Sequence, residues 1–386
     1  MYPTISDLLR DIFGINIPLP IQSFGFFVAI SFLLAAYTLS LELRRKETLG
    51  LISPFTRKVL TGAPATWQEI LLNVIIGFVL GYKLIYFGMN YSSLVDNPQK
   101  ALLSMVGSIP GGILAAAAMG YWKYREKNKV KKEKPEWVEE VVAPHELVGN
   151  ITMVAAVSGL LGAKIFHNLE YPEDLLKDPI DALLSFSGLT MYGGLIVGAI
   201  ATIWYGKKHG IAPMVLSDAT AAGLMLAYGF GRIGCQVAGD GDWGIVNTSP
   251  KPSLMSFLPD WFWSYNYPHN VISEGIPIPD CIGKHCYMLE QPVFPTPLYE
   301  SIVCILFFFL LWSIRKKFTV PGKFFSLYLL LNGVERFAVE SIRVNSKYHV
   351  GEISFTQAQL ISLLLIITGI AGLYFFKKKK PENSVA

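Results

Sequence analysis

Apolar residues arrive in blocks of about twenty, divided by short stretches that hold Gly, Pro, Asn or runs of Lys and Arg. A helix rising ~1.5 Å per residue needs about twenty residues to cross a ~30 Å hydrocarbon core. Nine blocks fit, at about 20–43, 68–88, 100–122, 146–166, 185–205, 214–232, 296–314, 322–343 and 357–376. The pattern predicts an all-α polytopic membrane protein of about nine transmembrane helices. Between the sixth and seventh blocks, residues 233–295 are rich in Pro, Trp and Tyr (Trp243, Trp261, Trp263, Tyr265, Tyr267). Aromatics of that density suit a membrane–water boundary, and the segment reads as an irregular external head domain.

Basic runs orient the blocks. They are Arg44-Arg45-Lys46 with Arg57-Lys58, then Lys123 to Lys134, Lys207-Lys208, Arg315-Lys316-Lys317 and Lys377 to Lys380. Nine spans put all of them on one side, which the charge bias assigns to the cytoplasm. Residues 1–19 then lie outside and do not read as a cleavable signal peptide.

A repeat is written into the chain at an offset of 81. Gly81 and Lys83 match Gly162 and Lys164, Asn97-Pro98 matches Asp178-Pro179, and Ala101 to Ser104 matches Ala182 to Ser185. Gly107 matches Gly188, and the offset slips to 82 at Gly111-Gly112 against Gly193-Gly194. The unit is a helix, an outer turn and a returning helix, duplicated in tandem. The expected organisation is an external segment 1–19, first span and cytoplasmic loop 20–65, first repeat copy 66–122 and basic linker 123–145. There follow the second copy and sixth span 146–232, the head 233–295, three spans 296–376 and a cytoplasmic tail 377–386.

Composition agrees: 52% of residues are hydrophobic and 16% charged, against about 25% charged in soluble domains. A soluble enzyme, a disordered tail protein and a nucleic-acid binder are excluded. Four cysteines are too few for a disulfide-stapled scaffold. Cys281 and Cys286, four residues between them in the head, are expected to be bridged, with a metal site alongside His285 and His269 as the alternative.

Ionisable groups inside a membrane are rare and informative. Lys164, His167, Tyr192, Arg232, Asp240, Asp242, Glu300, Arg336, Glu340 and Arg343 all fall near the outer level, and nothing comparable is expected on the inner side. Arg336, Glu340 and Arg343 are spaced i, i+4, i+7, on one helix face. Arginines suit bidentate contact with phosphate, and the carboxylates would neutralise them at rest. Snorkelling side chains and helix–helix ion pairs are the alternative. From Gly229 to Gly244, six glycines in sixteen residues suggest a bent loop at a helix end whose N–H groups can approach an anion.

At these residues the chain resembles the prolipoprotein diacylglyceryl transferase family. The family's Gly-Arg-x-Gly-Asn signature reads Gly231-Arg232-Ile233-Gly234-Cys235, running through Asp240 to Trp243-Gly244. Its His-Gly-Gly-Leu-Ile-Gly reads Tyr192-Gly193-Gly194-Leu195-Ile196-Val197-Gly198. Pro295 to Glu300, including Tyr299, and the Arg336, Glu340, Arg343 triplet complete four motifs in the family's order. The chain departs from the family at Tyr192, Cys235 and Phe24, where the family has histidine, asparagine and tyrosine, at a residue inserted near Gly241, and in two additional spans.

The resemblance implies transfer of a diacylglyceryl group from phosphatidylglycerol to the lipobox cysteine thiol of a preprolipoprotein, in the bacterial inner membrane on its periplasmic side. It implies no cofactor, metal or nucleic acid. Arg232, Arg336, Tyr192, Asp240 and Glu340 become the candidate catalytic residues. Gly193, Gly194, Gly231, Gly234, Cys235, Tyr299, Glu300, Arg343 and Lys164 become candidate substrate-binding residues. The base stays open between Tyr192, Asp240, Asp242 and His167. An inactive homologue binding lipoprotein or phospholipid, and a lipid transporter, stand as alternative readings.

Overall fold

The computed structural model describes residues 1–376 apart from 92–93, 95–100, 103, 133, 178, 180–182, 184–188, 346 and 351–352. Asn97, Pro98, Leu103, Asp178, Ala182, Leu184, Ser185, Gly188 and the Lys377 to Lys380 run therefore lie outside the described residues.

Each of the nine apolar blocks holds one long helix: α2 (Ser23–Thr48), α3 (Trp67–Met89), α4 (Ile109–Lys129), α5 (Val148–Glu170), α7 (Met191–Lys208), α8 (Pro213–Ala238), α9 (Thr296–Ile314), α10 (Lys323–Glu340) and α11 (Gln357–Phe375). Two short helices, α1 (Ile5–Phe13) and α6 (Pro172–Lys177), accompany them. Among the described residues, six helices are long and apolar enough to cross a membrane: α2, α3, α5 with its 3₁₀ entry, α8, α9 and α11. The protein is a multi-pass, mainly helical membrane protein. The other three, α4, α7 and α10, pack lengthwise on α3, α5 and α11.

Helix α8 is the axis. Over half of its apolar window is buried (56%), against a third or less in the other five candidate spans. It is flanked by α2, α9 and α10, and its Ala221, Ala222, Met225 and Leu226 pack with Cys304, Phe308, Leu311 and Phe324. Pro213 opens it at the first turn and Gly239, at φ 66°, closes it.

The helix ends differ from expectation in three places. The sixth span continues to Ala238, so Gly229, Gly231 and Gly234 are helical and not part of a loop. A Cβ at Gly229 would press on Ser301 and Cys304 of α9, and one at Gly234 on Phe24 and Phe27 of α2. Those glycines seat neighbouring helices and leave no free N–H groups for an anion. Helix α10 stops at Glu340, so Arg343 lies beyond the helix face assigned to it. Helix α4 starts at Ile109 and takes in Lys123 to Lys129.

The repeat is reproduced contact by contact. A Cβ at Gly81 would collide with the Gly111 carbonyl, and one at Gly162 with that of Gly193. Gly111 abuts Ile85 as Gly193 abuts Phe166, and Gly112 abuts Phe78 as Gly194 abuts Gly159. Ser108 N–H donates to Tyr82 C=O (2.8 Å) and Thr190 N–H to Ala163 C=O (3.1 Å). Each partner is displaced by 81 on the first helix and 82 on the second, so the hairpins α3–α4 and α5–α7 pack in one register.

Their settings differ. Helices α5 and α7 touch α2 and α8, whereas α3 and α4 pack extensively only on each other. The hairpin α3–α4 is carried on an unexpected two-stranded ribbon, β1 (Phe55–Thr61) with β2 (Glu136–Val142), antiparallel from Phe55↔Val142 to Thr61↔Glu136. Basic β1 faces acidic β2, with Arg57 2.7 Å from Glu140 and Lys58 3.8 Å from Glu139. Two further ribbons are small: β3 (Ile276–Pro277) with β4 (Tyr287–Met288), and β5 (Lys347–Val350) with β6 (Ile353–Thr356).

The end of the bundle away from the head is not free of buried charge, contrary to the sequence reading. Glu42, Lys46 and Asp218 are 1%, 4% and 2% exposed. Glu42 accepts from Arg45 (2.7 Å) and from Arg315 (2.8 Å). Asp218 accepts the N–H groups of Gly322 (2.9 Å) and Phe325 (2.7 Å), capping α10 from α8, with Lys46 4.0 Å away. This second ionic cluster pins α2, α8, α9 and α10 together.

In the head, Tyr267 is fully buried with Trp243, Leu289 and Val293. Its hydroxyl donates to Gln236 of α8 (2.7 Å), and Tyr299 of α9 donates to the Phe262 carbonyl (2.7 Å). Cys281 and Cys286 are joined by a disulfide, so neither sulfur is available to a metal.

If α3–α4 is an insertion on its ribbon, replacing residues 62–135 by Asn-Gly turns β1–β2 into a two-residue hairpin. The shortened protein is expected to extract from membranes as a single species that unfolds cooperatively in detergent, with a melting temperature close to the parent's. A broad, non-cooperative transition would show that α3–α4 supports the core.

Candidate active site

The residues singled out by depth converge where α8, α9 and α10 meet the head. Glu300, one turn into α9, is fully buried. Its Oε2 accepts from Arg336 Nη1 (3.3 Å) and the Tyr228 hydroxyl (2.5 Å) and forms an ion pair with Arg232, whose Nε lies 2.8 Å away, and its Oε1 accepts from Arg343 Nη1 (2.8 Å). Asp242 bridges the same arginines, through Oδ2 to Arg232 and through Oδ1 to Arg343 Nη2 (2.6 Å). Arg336 also lies 3.3 Å from Glu340, which accepts from Asn345 (2.6 Å). Three guanidinium groups thus meet three carboxylates in ion pairs.

Local structure delivers each member. Arg232 sits six residues before the end of α8 and is 6% exposed, with its guanidinium 5.2 Å from the Tyr228 ring. Arg343 reaches the cluster through a strand-like bridge to Gly244 instead of a helix face. A Cβ at Gly244 would stand 2.5 Å from the Ile342 carbonyl, so only glycine admits this approach. Asp242 is fixed by Thr296, whose hydroxyl donates to the Asp242 carbonyl (2.8 Å).

The other candidates take separate places. Tyr192, half-buried at the start of α7, is close enough to Arg336, Glu340 and Arg343 to feel their charge. Gly193 and Gly194 serve the contact with α5, and Gly231 faces open space near Ser31. Tyr299 tethers the head. Lys164 is buried on α5, at the place Lys83 holds in α3; Lys83 donates to the carbonyls of Ala101 (3.1 Å), Ser104 and Val106 (3.0 Å). His167 rests against Tyr171, ring centres 5.1 Å apart. Two members escaped the sequence reading: Tyr228, an aromatic among glycines, and Glu335, buried beside Arg336 with neither oxygen hydrogen-bonded among the described residues.

Asp240 is placed unlike Asp242. It meets the Cys235 thiol and, at 3.4 Å, the N–H of Asp242. Cys235, Asp240 and Asp242 bring their ligand atoms within 4.8 Å of one another, but the two guanidinium groups on Asp242 make this a poor place for a cation. Burial raises the Asp240 carboxyl above its ordinary 3.8, and the Asp242 charge adds to that. For Asp242 burial also pulls upward, but Arg232 and Arg343 overcome it and hold the group below 3.8.

The family model for prolipoprotein diacylglyceryl transferases matches residues 128–375. The chain belongs to that family. Among members, it is 32% identical over 223 residues to phosphatidylglycerol–prolipoprotein diacylglyceryl transferase of Clostridium tetani, covering 57% of this chain and 77% of that protein. It is 31% identical over 237 residues to the second such enzyme of Clostridium perfringens (61% and 80%), and 25% identical over 343 residues to that of Leptospira interrogans (75% and 92%). The family match begins at residue 128 and so leaves out nearly all of α3–α4.

Opposite pH signatures follow for the two aspartates in this transferase fold. Asp242, lowered on folding, stabilises above pH 3.8, and that contribution is lost as the pH falls through its folded value. Asp240, raised on folding, destabilises at neutral pH and is relieved as the pH falls toward 3.8. Thermal unfolding against pH should therefore find Asp240→Asn more stable than the parent at neutral pH and Asp242→Asn less stable, with both differences shrinking in acid. Destabilisation by Asp240→Asn would contradict the assignment.

Proposed function

We propose that the protein transfers the diacylglyceryl group of phosphatidylglycerol to the lipobox cysteine thiol of a preprolipoprotein, at the periplasmic face of the bacterial inner membrane. The observation that carries this reading is the convergence of Arg232, Arg336 and Arg343 on Glu300 beside the head. Thioether formation breaks a carbon–oxygen bond, and glycerol phosphate departs with one more negative charge than the lipid phosphate held. Fixed guanidinium groups stabilise that growing charge, and more so away from bulk water. At rest the carboxylates keep the arginines compensated and aimed. A bound phosphate then draws Arg232 and Arg336 toward itself while Glu300 retains Arg343 and Tyr228.

Tyr192 is a positioning residue in this scheme. Glu340 and Asn345 orient Arg336, and Tyr299 holds the head over the site.

Replacing Arg232 or Arg336 by alanine removes a charge-assisted phosphate contact, about 1.5–3 kcal/mol, and should slow transfer to a lipobox peptide in liposomes by ~10-fold or more. Lysine should restore little, lacking the planar fork. Tyr192→Phe should retain most activity. Undiminished transfer by Arg232→Ala would end the phosphate-clamp reading.

The basic runs support a cytoplasmic face for α4's last turns and a periplasmic face for the head. Cys235 and Cys304 are buried and the other two cysteines are bridged, so background labelling is low. Ser256→Cys should react with an impermeant maleimide added from outside, and Lys129→Cys should not. Labelling of Lys129→Cys would overturn the nine-span topology.

A further inference from the structure

The clamp explains how the phosphate leaves, not where the thiol's proton goes. We infer that Asp240 is the catalytic residue that takes it. The inference rests on the transfer reaction proposed above.

The assignment is by partners. Three carboxylates are engaged by arginine: Asp242 by Arg232 and Arg343, Glu300 by Arg232, Arg336 and Arg343, and Glu340 by Arg336. A carboxylate so held is a poor base, because taking a proton forfeits its ion pairs. Two carboxylates of the site have no guanidinium partner among the described residues: Glu335, sealed inside at 3% exposure, and Asp240, which stands on the rim of the same cluster. Asp240 is half-buried and next to Gly241, which is exposed. Its neighbours from every element packed there are the Cys235 thiol and Arg232 of α8, the Asp242 carboxylate and N–H, and Tyr267 of the head, whose hydroxyl is turned to Gln236. Of these only Arg232 is cationic, and it is engaged in ion pairs with Asp242 and Glu300.

Two carboxylates two residues apart therefore carry opposite tasks. Asp242, pulled down by its arginines, stays ionised and fixes the clamp, while Asp240, pushed up by burial and by Asp242, is the more basic. The Cys235 sulfur already lies within 4.8 Å of an Asp240 oxygen, so a sulfur beside this carboxylate is compatible with the fold.

The step balances. The substrate S–H proton moves to an Asp240 oxygen. The sulfur lone pair forms the bond to the glycerol carbon, and the carbon–oxygen bond to phosphate breaks with its electrons on the phosphate oxygen. Glycerol phosphate leaves against Arg232 and Arg336, and Asp240 returns its proton to water past Gly241.

Deprotonation by a positioned base is worth about 10²–10⁴-fold. The test compares two lipobox peptides, one with cysteine and one with selenocysteine, whose selenol is already ionised at neutral pH. Asp240→Asn should lose ~100-fold or more with the cysteine peptide while staying within a few-fold of wild type with the selenocysteine peptide. Asp240→Glu should retain part of the thiol activity. Equal losses with both peptides would mean a structural role, and no loss with cysteine would exclude Asp240 as acceptor; either result overturns the inference. Arg232→Ala should fail with both peptides. A wild-type protein that transfers to neither would overturn the reaction itself, an outcome separable from any result in which wild type works.

Discussion

One fully buried carboxylate, Glu300, organises the end of the bundle that carries the head. It forms ion pairs with three arginines and takes a hydrogen bond from a tyrosine. No part of the cluster would survive alone. An unpaired guanidinium or carboxylate out of water costs several kcal/mol, and removing one partner of a buried pair typically costs about 3–5 kcal/mol. Each charge is tolerated because the others are present, and the helices that carry them are held at fixed depth and rotation. The head belongs to the same construction, since Asp242 and the Gly244–Arg343 bridge come from the chain just beyond α8 and α10. The candidate site and the docking of the head are one set of contacts.

The opposite end of the bundle uses the same physics for a different purpose. Glu42, Arg45 and Arg315 form one group and Asp218 with Lys46 another, but Asp218 is directed at backbone N–H groups that open α10. Those donors are satisfied within the protein and leave no site for a substrate. Between the two ends, α8 presents small residues and admits its neighbours closely. A charged clamp at each end and an apolar middle fix α8, α9 and α10 against sliding, and the clamp away from the head also holds α2.

Much of this was legible in the sequence because a membrane makes polarity conspicuous. Helix positions followed from block length, and Arg232, Glu300, Arg336, Glu340 and Arg343 stood out as charges in apolar surroundings. The glycine register of the repeat was visible as spacing and returned as contact. What was hidden depended on turns and on partners. Six glycines around Arg232 read as a loop, yet three are helical, because close packing offsets the usual helix penalty of glycine. Asp240 and Asp242 could not be told apart, since the positive φ values at Gly239 and Gly241 decide which carboxylate turns to the arginines. Asp218 lay inside an apolar block with nothing to reveal its backbone partners on α10. The β1–β2 ribbon was invisible because its strands, far apart in sequence, read as basic loop and linker.

That ribbon ties membrane topology to strand pairing. Thr61 meets Glu136 across the whole α3–α4 hairpin, and in the proposed nine-span topology that meeting requires both helices to cross and bring the chain back to its starting side. The entropy of closing so long a loop grows only logarithmically with length, so distance along the chain is a small obstacle. Which side the second strand occupies matters far more. Should one of the two helices fail to insert, β1 and β2 end in different aqueous compartments and each keeps a bare, unpaired edge, the feature that invites aggregation. A correctly threaded chain hides both edges in each other. In that topology the paired ribbon is a record of correct threading, held on the aqueous side and away from the membrane.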